Sequence, residues 1–229
     1  MKKQSNVRFG IFSLLMPLIG IGLFVLFYIL SALNYPGGSW YSPNQEGFSF
    51  WHNYLCDLLD VYAINGDINT ARVYAIIALG FLCSGLFWLW MYLPRAFITN
   101  GLNQKIMWVS GLLSILTIPF LALGEHDLIV RIAGLFGIIA FISCSIELLK
   151  AGHKFLFALG ILCILIFLAN YYTYETGIFI GSLPVIQKIT FLLFIVWFIY
   201  LDVLLVRKVI ARKRLSQDDL LDKGLHTDQ

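Results

Sequence analysis

"IFSLLMPLIGIGLFVLFYILSAL", residues 11–33, runs for six helical turns without a charged side chain. As a helix rising 1.5 Å per residue it reaches about 35 Å, enough to cross a hydrocarbon core roughly 30 Å thick. It exceeds the roughly 7–15 apolar residues of a signal-peptide core, and no small-residue cleavage site follows it. It therefore reads as a retained membrane span. Five more apolar runs follow, at about 71–94, 105–123, 128–149, 154–173 and 185–206. Of the 229 residues, 59% are hydrophobic and 13% charged, with a mean hydropathy of +0.82. Soluble domains carry about a quarter charged residues, so the chain is expected to be all-α, an integral membrane six-helix bundle.

Residues 1–214 make up the six-span domain in this reading, and residues 215–229 a short charged cytoplasmic tail. Cys56, Cys83, Cys144 and Cys163 show no paired spacing, and three of them lie inside apolar runs. Neither a disulfide framework nor a zinc ribbon is expected.

Basic residues set the orientation of such a chain. With the N-terminus in the cytoplasm, Lys2, Lys3, Arg8, Arg95, Lys105, Lys150, Lys154, Arg207, Lys208, Arg212, Lys213, Arg214 and Lys223 share one side, thirteen of the sixteen Lys and Arg. Both termini are therefore expected to be cytoplasmic, in a multi-pass protein of the plasma (inner) membrane of a bacterium. Glu46, Asp57, Asp60, Asp67, Glu125, Asp127 and Glu175 then map outside, so the polar chemistry faces outward.

The first outer stretch is "GFSFWHNYLCDLLDVYAINGD", Gly47 to Asp67. Trp51, Tyr54, Leu55, Leu58 and Tyr62 recur at helical spacing, with His52, Asn53, Cys56, Asp57 and Asp60 on the other side. The pattern predicts one outer interfacial amphipathic helix, capped by Ser49 and ended at Asn65-Gly66, its polar face in water. Asp67 or Asn69 is placed to cap the second span. The second constellation is "GEHDLIVRIAG", where Glu125, His126 and Asp127 sit at a helix N-terminus favourable to negative charge and Arg131 stands four residues after Asp127. In the third, "YYTYETGIFIGSLPVIQK", Glu175 occupies an outer loop and Lys188 enters the last span. Cations at that depth either snorkel to the interface or face a partner in the bundle. Glu147 and Asp202, near the inner ends, are expected to pair with Lys150 and Arg207. No charge falls near the midplane, which argues against an ion-coupled transporter.

Six spans, a long polar first outer loop, and the motifs "NYLCDLLD" and "GEHDLIVRIAG" give the chain its resemblance. It resembles the six-span group of damage-regulated autophagy modulators and bacterial relatives classed as a domain of unknown function. That resemblance implies a lipid-facing or regulatory membrane role and assigns no catalytic set. Alkaline ceramidase-like hydrolases, by comparison, hold zinc with three histidines. Here only His52 and His126 fall outside, with His153 and His226 on the cytoplasmic side.

Two functional readings result. In the first, His52, Asn53, Asp57, Asp60, Glu125, His126, Asp127, Arg131, Glu175 and Lys188 line an outer-leaflet polar cup that binds a lipid or amphiphile headgroup without a cofactor. Membrane lipids are then the partners, nucleic acid is not, and association with further copies of the chain is left open. In the second, His52, Asp57, His126 and Asp127 hold zinc or another divalent ion for hydrolysis of a lipid-like substrate.

Overall fold

The computed structural model describes the backbone of residues 11–97, 101–123 and 126–225, and the side chains of 14–97, 101–121 and 128–211. Six long helices appear at the expected places: α1 (Ile11–Leu33), α2 (Arg72–Tyr92), α3 (Leu102–Thr117), α4 (His126–Lys150), α5 (Lys154–Thr176) and α6 (Leu183–Leu225). Each contains a stretch long and apolar enough to cross a membrane. The chain is a multi-pass membrane protein. α6 stays helical through the charged segment after Arg207 as far as Leu225, so its backbone shows no break at residue 214.

Helices adjacent in sequence pack side by side, and α6 returns to α1. In a membrane, close approach of this kind depends on small residues and shape, because lipid offers apolar surface as readily as another helix does. At the α1–α2 crossing Gly20 lies against Gly85, where a Cβ on Gly20 would fall 2.7 Å from the Phe81 carbonyl oxygen. The core is built on indoles whose N–H groups are satisfied internally. Trp90 Nε1 donates to the Met107 carbonyl (2.9 Å) and Trp197 Nε1 to that of Leu156 (3.0 Å). The Trp197 ring lies 4.1 Å from that of Phe141 on α4.

The α1–α2 loop, the α3–α4 turn and the α5–α6 loop share one end of the bundle, here termed the cap face. The α2–α3 and α4–α5 connections and the continuation of α6 share the other, the tail face.

The amphipathic helix read into residues 49–65 does not form. Only Cys56–Leu59 makes a short 3-10 turn, and the rest is a folded loop with isolated bridges between Gly37 and Glu46 and between Tyr62 and Ile68. Side chains take the backbone groups that a helix would need. Ser49 N donates to Asn53 Oδ1 (2.8 Å), Tyr54 N to Asp57 Oδ2 (2.8 Å), and Asn69 Nδ2 to the carbonyls of Asp57 and Asp60 (3.0 and 2.9 Å). The expected faces are also mixed: Leu58 is buried and Asp60 exposed as the helix would have them, but other residues change sides. Asn53 and Asp57 are buried, whereas Trp51 and Tyr62 are exposed. Asn69 does sit at the entry to α2, its Oδ1 accepting from Ala71 N (3.1 Å).

On the tail side, Glu147 pairs with Lys150 as expected (3.0 Å) and accepts also from Asn103 and Gln104. Asp202 does not pair with Arg207: it is fully buried, and among the described residues neither carboxylate oxygen has a partner. The two residues are five apart, which on a helix separates their directions by about 140°.

Candidate functional site: the buried polar staple under the cap

Residues 34–71 form a cap over one end of the bundle, and Asn53 is its hub. Its Oδ1 accepts from Ser49 N, and its Nδ2 donates both to the Gly38 carbonyl (2.8 Å) and to Asp57 Oδ2 (3.0 Å). Its backbone carbonyl accepts from Lys188 Nζ at 2.6 Å, and the same ammonium donates to the Pro184 carbonyl at 3.0 Å. Phe48 and Phe50 present their rings to Lys188 at 5.5 and 5.2 Å, a distance at which ring quadrupoles attract a cation. Lys188 is only 8% exposed. It faces inward, and the loop's own carbonyls and rings occupy its surroundings.

Asp57, 4% exposed, completes the cluster. Burial holds its carboxyl above the ordinary carboxylate range, opposed by the hydrogen bonds from Asn53 and Tyr54; nearby Asp60 adds to the rise and Lys188 acts against it. Two residues not singled out from sequence finish the attachment. Gln187 Oε1 accepts from Leu55 N (2.7 Å), and Tyr28 Oη donates to the Leu55 carbonyl (2.6 Å). Gln187 precedes Lys188 in an apolar run, and that adjacency of two polar residues was the available signal. Tyr28, one tyrosine within an apolar span, gave none.

The other candidates lie elsewhere. His52 stacks on Tyr41 (4.7 Å, 13° between planes) and shares a hydrogen bond with Ser49 Oγ (3.2 Å). Its neighbour five residues on, Asp57, is turned into the buried cluster. Asp60 is exposed. Arg131 on α4 forms an ion pair with Glu175 at the end of α5 (2.9 Å), partly exposed on both sides. That pair and the Lys188 cluster share no partner among the described contacts. Glu125 and the side chains of His126 and Asp127 lie outside the described residues. Among the described residues no three His, Cys, Asp or Glu side chains gather as a metal site would require. A shallow apolar groove of about 350 Å³ runs between α3 and α4, lined by Ile106, Val109, Leu113 and Phe136, well away from the cap.

Chemically, the staple fixes the cap to α1 and α6, and its polar atoms are spent on one another. Large aromatic side chains are prominent in what the cap leaves exposed, Trp40 (72%), Tyr41 (81%), Phe50, Trp51 (62%) and Tyr62, beside Val61, Ile68 and the acidic Glu46, Asp60 and Asp67. The segment 34–71 also carries Glu46, Asp57, Asp60 and Asp67 with no Lys or Arg. A six-helix membrane protein with a stapled, acidic, aromatic cap is the class these features define. Comparison with protein-family models, with curated proteins and with solved structures finds no match to this chain.

Proposed function

We propose that the protein binds lipid or amphiphile headgroups at the outer surface of a plasma (inner) membrane, with the cap outside and both termini in the cytoplasm. The observation that carries this reading is the set of exposed rings Trp40, Tyr41, Phe50 and Trp51 on a cap held by the Asn53–Asp57–Lys188 cluster. Aromatic side chains at a membrane surface settle at headgroup depth, and their faces attract ammonium groups. An acidic segment without basic residues favours the same charge. The ligand class is therefore a headgroup ending in an ammonium, as in ethanolamine or choline lipids. The resemblance to the six-span autophagy-modulator group implies a lipid-facing or regulatory membrane role, and the first of these agrees with this reading.

Native mass spectrometry of protein purified from vesicles of equal phosphatidylethanolamine and phosphatidylglycerol tests it. Wild type is expected to retain the ethanolamine lipid preferentially. The double variant Trp40→Ala/Trp51→Ala should lower that retention roughly five- to thirty-fold, from ~0.5–1 kcal/mol for each exposed ring contact. Equal retention of the two lipids by wild type, or an unchanged preference in the variant, refutes it. The hydrolase reading has its own measurement, one zinc per chain by elemental analysis, lost in both His52→Ala and His126→Ala.

A further inference from the structure

Asp202 takes no part in the cap. It lies on α6 fourteen residues beyond Lys188, about 21 Å along the axis, and about 8 Å before Arg207. It is 0% exposed, and neither Oδ1 nor Oδ2 has a hydrogen-bond partner among the described residues. Along α6 it falls between Phe198, whose ring meets that of Trp90 edge-on, and Lys208, whose ammonium donates to the Ala96 carbonyl. This is the stretch of α6 that packs on the turn after α2, where Leu93, Ala96 and Phe97 are buried.

The charged groups of the surrounding elements are engaged or turned away. On α6, Arg207 is exposed and Lys208 is bound to Ala96. After α2, Arg95 is exposed and lies over the Tyr92 ring. Glu147 on α4 is taken up by Asn103, Gln104 and Lys150. Lys105 on α3 and Lys154 on α5 are exposed; His153, at the α4–α5 turn, is half-buried, and its Nε2 has no hydrogen-bond partner among the described residues. On α1, residues 14–33 carry no charge. Among the described residues none of these groups forms an ion pair with Asp202.

An ionised carboxylate can only accept hydrogen bonds, and among the described residues no donor reaches this one. The neutral acid brings its own O–H, which a carbonyl oxygen of the surrounding helices can accept. An isolated buried carboxylate neutralises rather than persisting as an ion.

We propose that Asp202 is a proton-binding site. Its carboxyl is carried as the neutral acid while α6 lies against the end of α2, and it releases the proton toward the tail face when that contact opens. In the release step the O–H bond breaks, the proton passes to entering water, and the electron pair stays on the carboxylate, which the same water then solvates. The ligand is the proton, and α6 is the element whose position it sets.

Infrared spectroscopy of the full chain in phosphatidylethanolamine/phosphatidylglycerol vesicles tests the first half. At neutral pH the wild type should show a protonated-carboxyl stretch that is absent from Asp202→Asn. Should that variant not fold, wild type carrying carboxyl-13C aspartate, compared with the same label in an Asp57→Asn background, reports the same band through its isotope shift. Absence of the band at neutral pH overturns the proposal. The second half is read by hydrogen exchange over residues 198–206, corrected for the intrinsic rate. Exchange there should rise with pH in wild type and stay flat in Asp202→Asn or, failing that, in Asp202→Leu. An equal pH response in wild type and variant overturns the coupling to α6.

Discussion

Substitution of Asp57 separates two things that a buried carboxylate can do for a fold. Both of its described hydrogen bonds, from Asn53 Nδ2 and Tyr54 N, land on the same oxygen, Oδ2. Asp57→Asn can place its amide oxygen there and keep both bonds, losing only the charge. Asp57→Ala removes both. Hydrogen bonds to a charged acceptor contribute about 1.5–3 kcal/mol each, so the alanine variant should lose about 3 kcal/mol or more, and the Tyr54 N–H is left without its acceptor. At roughly 2–4 °C per kcal/mol for a chain of this size, that is about 6–12 °C in melting temperature. The charge itself acts in the other direction. Because the folded-state pKa is raised above the ordinary 3.8, the folded protein binds the proton more tightly than the unfolded chain. The associated stability is complete below that value and is lost as pH rises through the folded pKa. Asp57→Asn should therefore equal or exceed wild type at pH 7–8, with the gap closing toward about pH 4. Thermal unfolding in detergent at both pH values, followed by near-ultraviolet circular dichroism, measures this. If the asparagine variant falls as far as the alanine variant at pH 7, the staple depends on charge rather than on hydrogen-bond geometry, and the reasoning fails.

Gly20→Ala should cost about 1–3 kcal/mol by overpacking, because the new methyl meets the α2 backbone, whereas Gly22→Ala, with open space around its Cβ position, should be neutral or stabilise by up to ~1 kcal/mol through helix propensity; equal effects on unfolding in detergent would show that α1 and α2 do not touch there. Cys56 keeps an exposed surface, but protein packed around it, with Asp57 and Asp60 nearby, pushes its thiol up to about 12. A membrane-impermeant maleimide on intact cells should therefore label the chain slowly and at that residue alone, about tenfold faster per unit of rising pH, and not at all in Cys56→Ser; label persisting in that variant would contradict the assignment of the spans, and an unlabelled wild type at high pH would contradict a cap that faces outward.

The spans were legible because a hydrocarbon solvent tolerates little else than long apolar helices, so their signal is repeated at every residue. The inward direction of Lys188 was likewise legible as one of two options, since a cation in a span must either snorkel or find partners. The cap was misread for a specific reason. Its period matched a helix, but periodicity records only which residues share a side. It does not say that Asn53 and Asp57 bind backbone groups and are pulled under, leaving Trp51 and Tyr62 outside. Asp202 was misread because proximity in sequence to Arg207 was taken for proximity in space. The local pattern sets Arg131 beside Asp127, whose side chain lies outside the described residues; the contact the structure describes is with Glu175 on a neighbouring helix, a fellow member of the expected cup that spacing alone does not single out.

The length of α6 has a mechanical consequence. Its 43 residues span about 64 Å at 1.5 Å each, against roughly 40–45 Å for a whole bilayer with its headgroups. Held at its beginning by the staple and as far as Lys208 by the bundle, it acts as a lever whose outer arm, from residue 208 to 225, is about 26 Å long. A rotation of 10° about that pivot, as an order-of-magnitude case, carries the far end about 4 Å sideways. A displacement too small to disturb side-chain packing within the bilayer becomes, at the end of the rod, one that a neighbouring molecule can register.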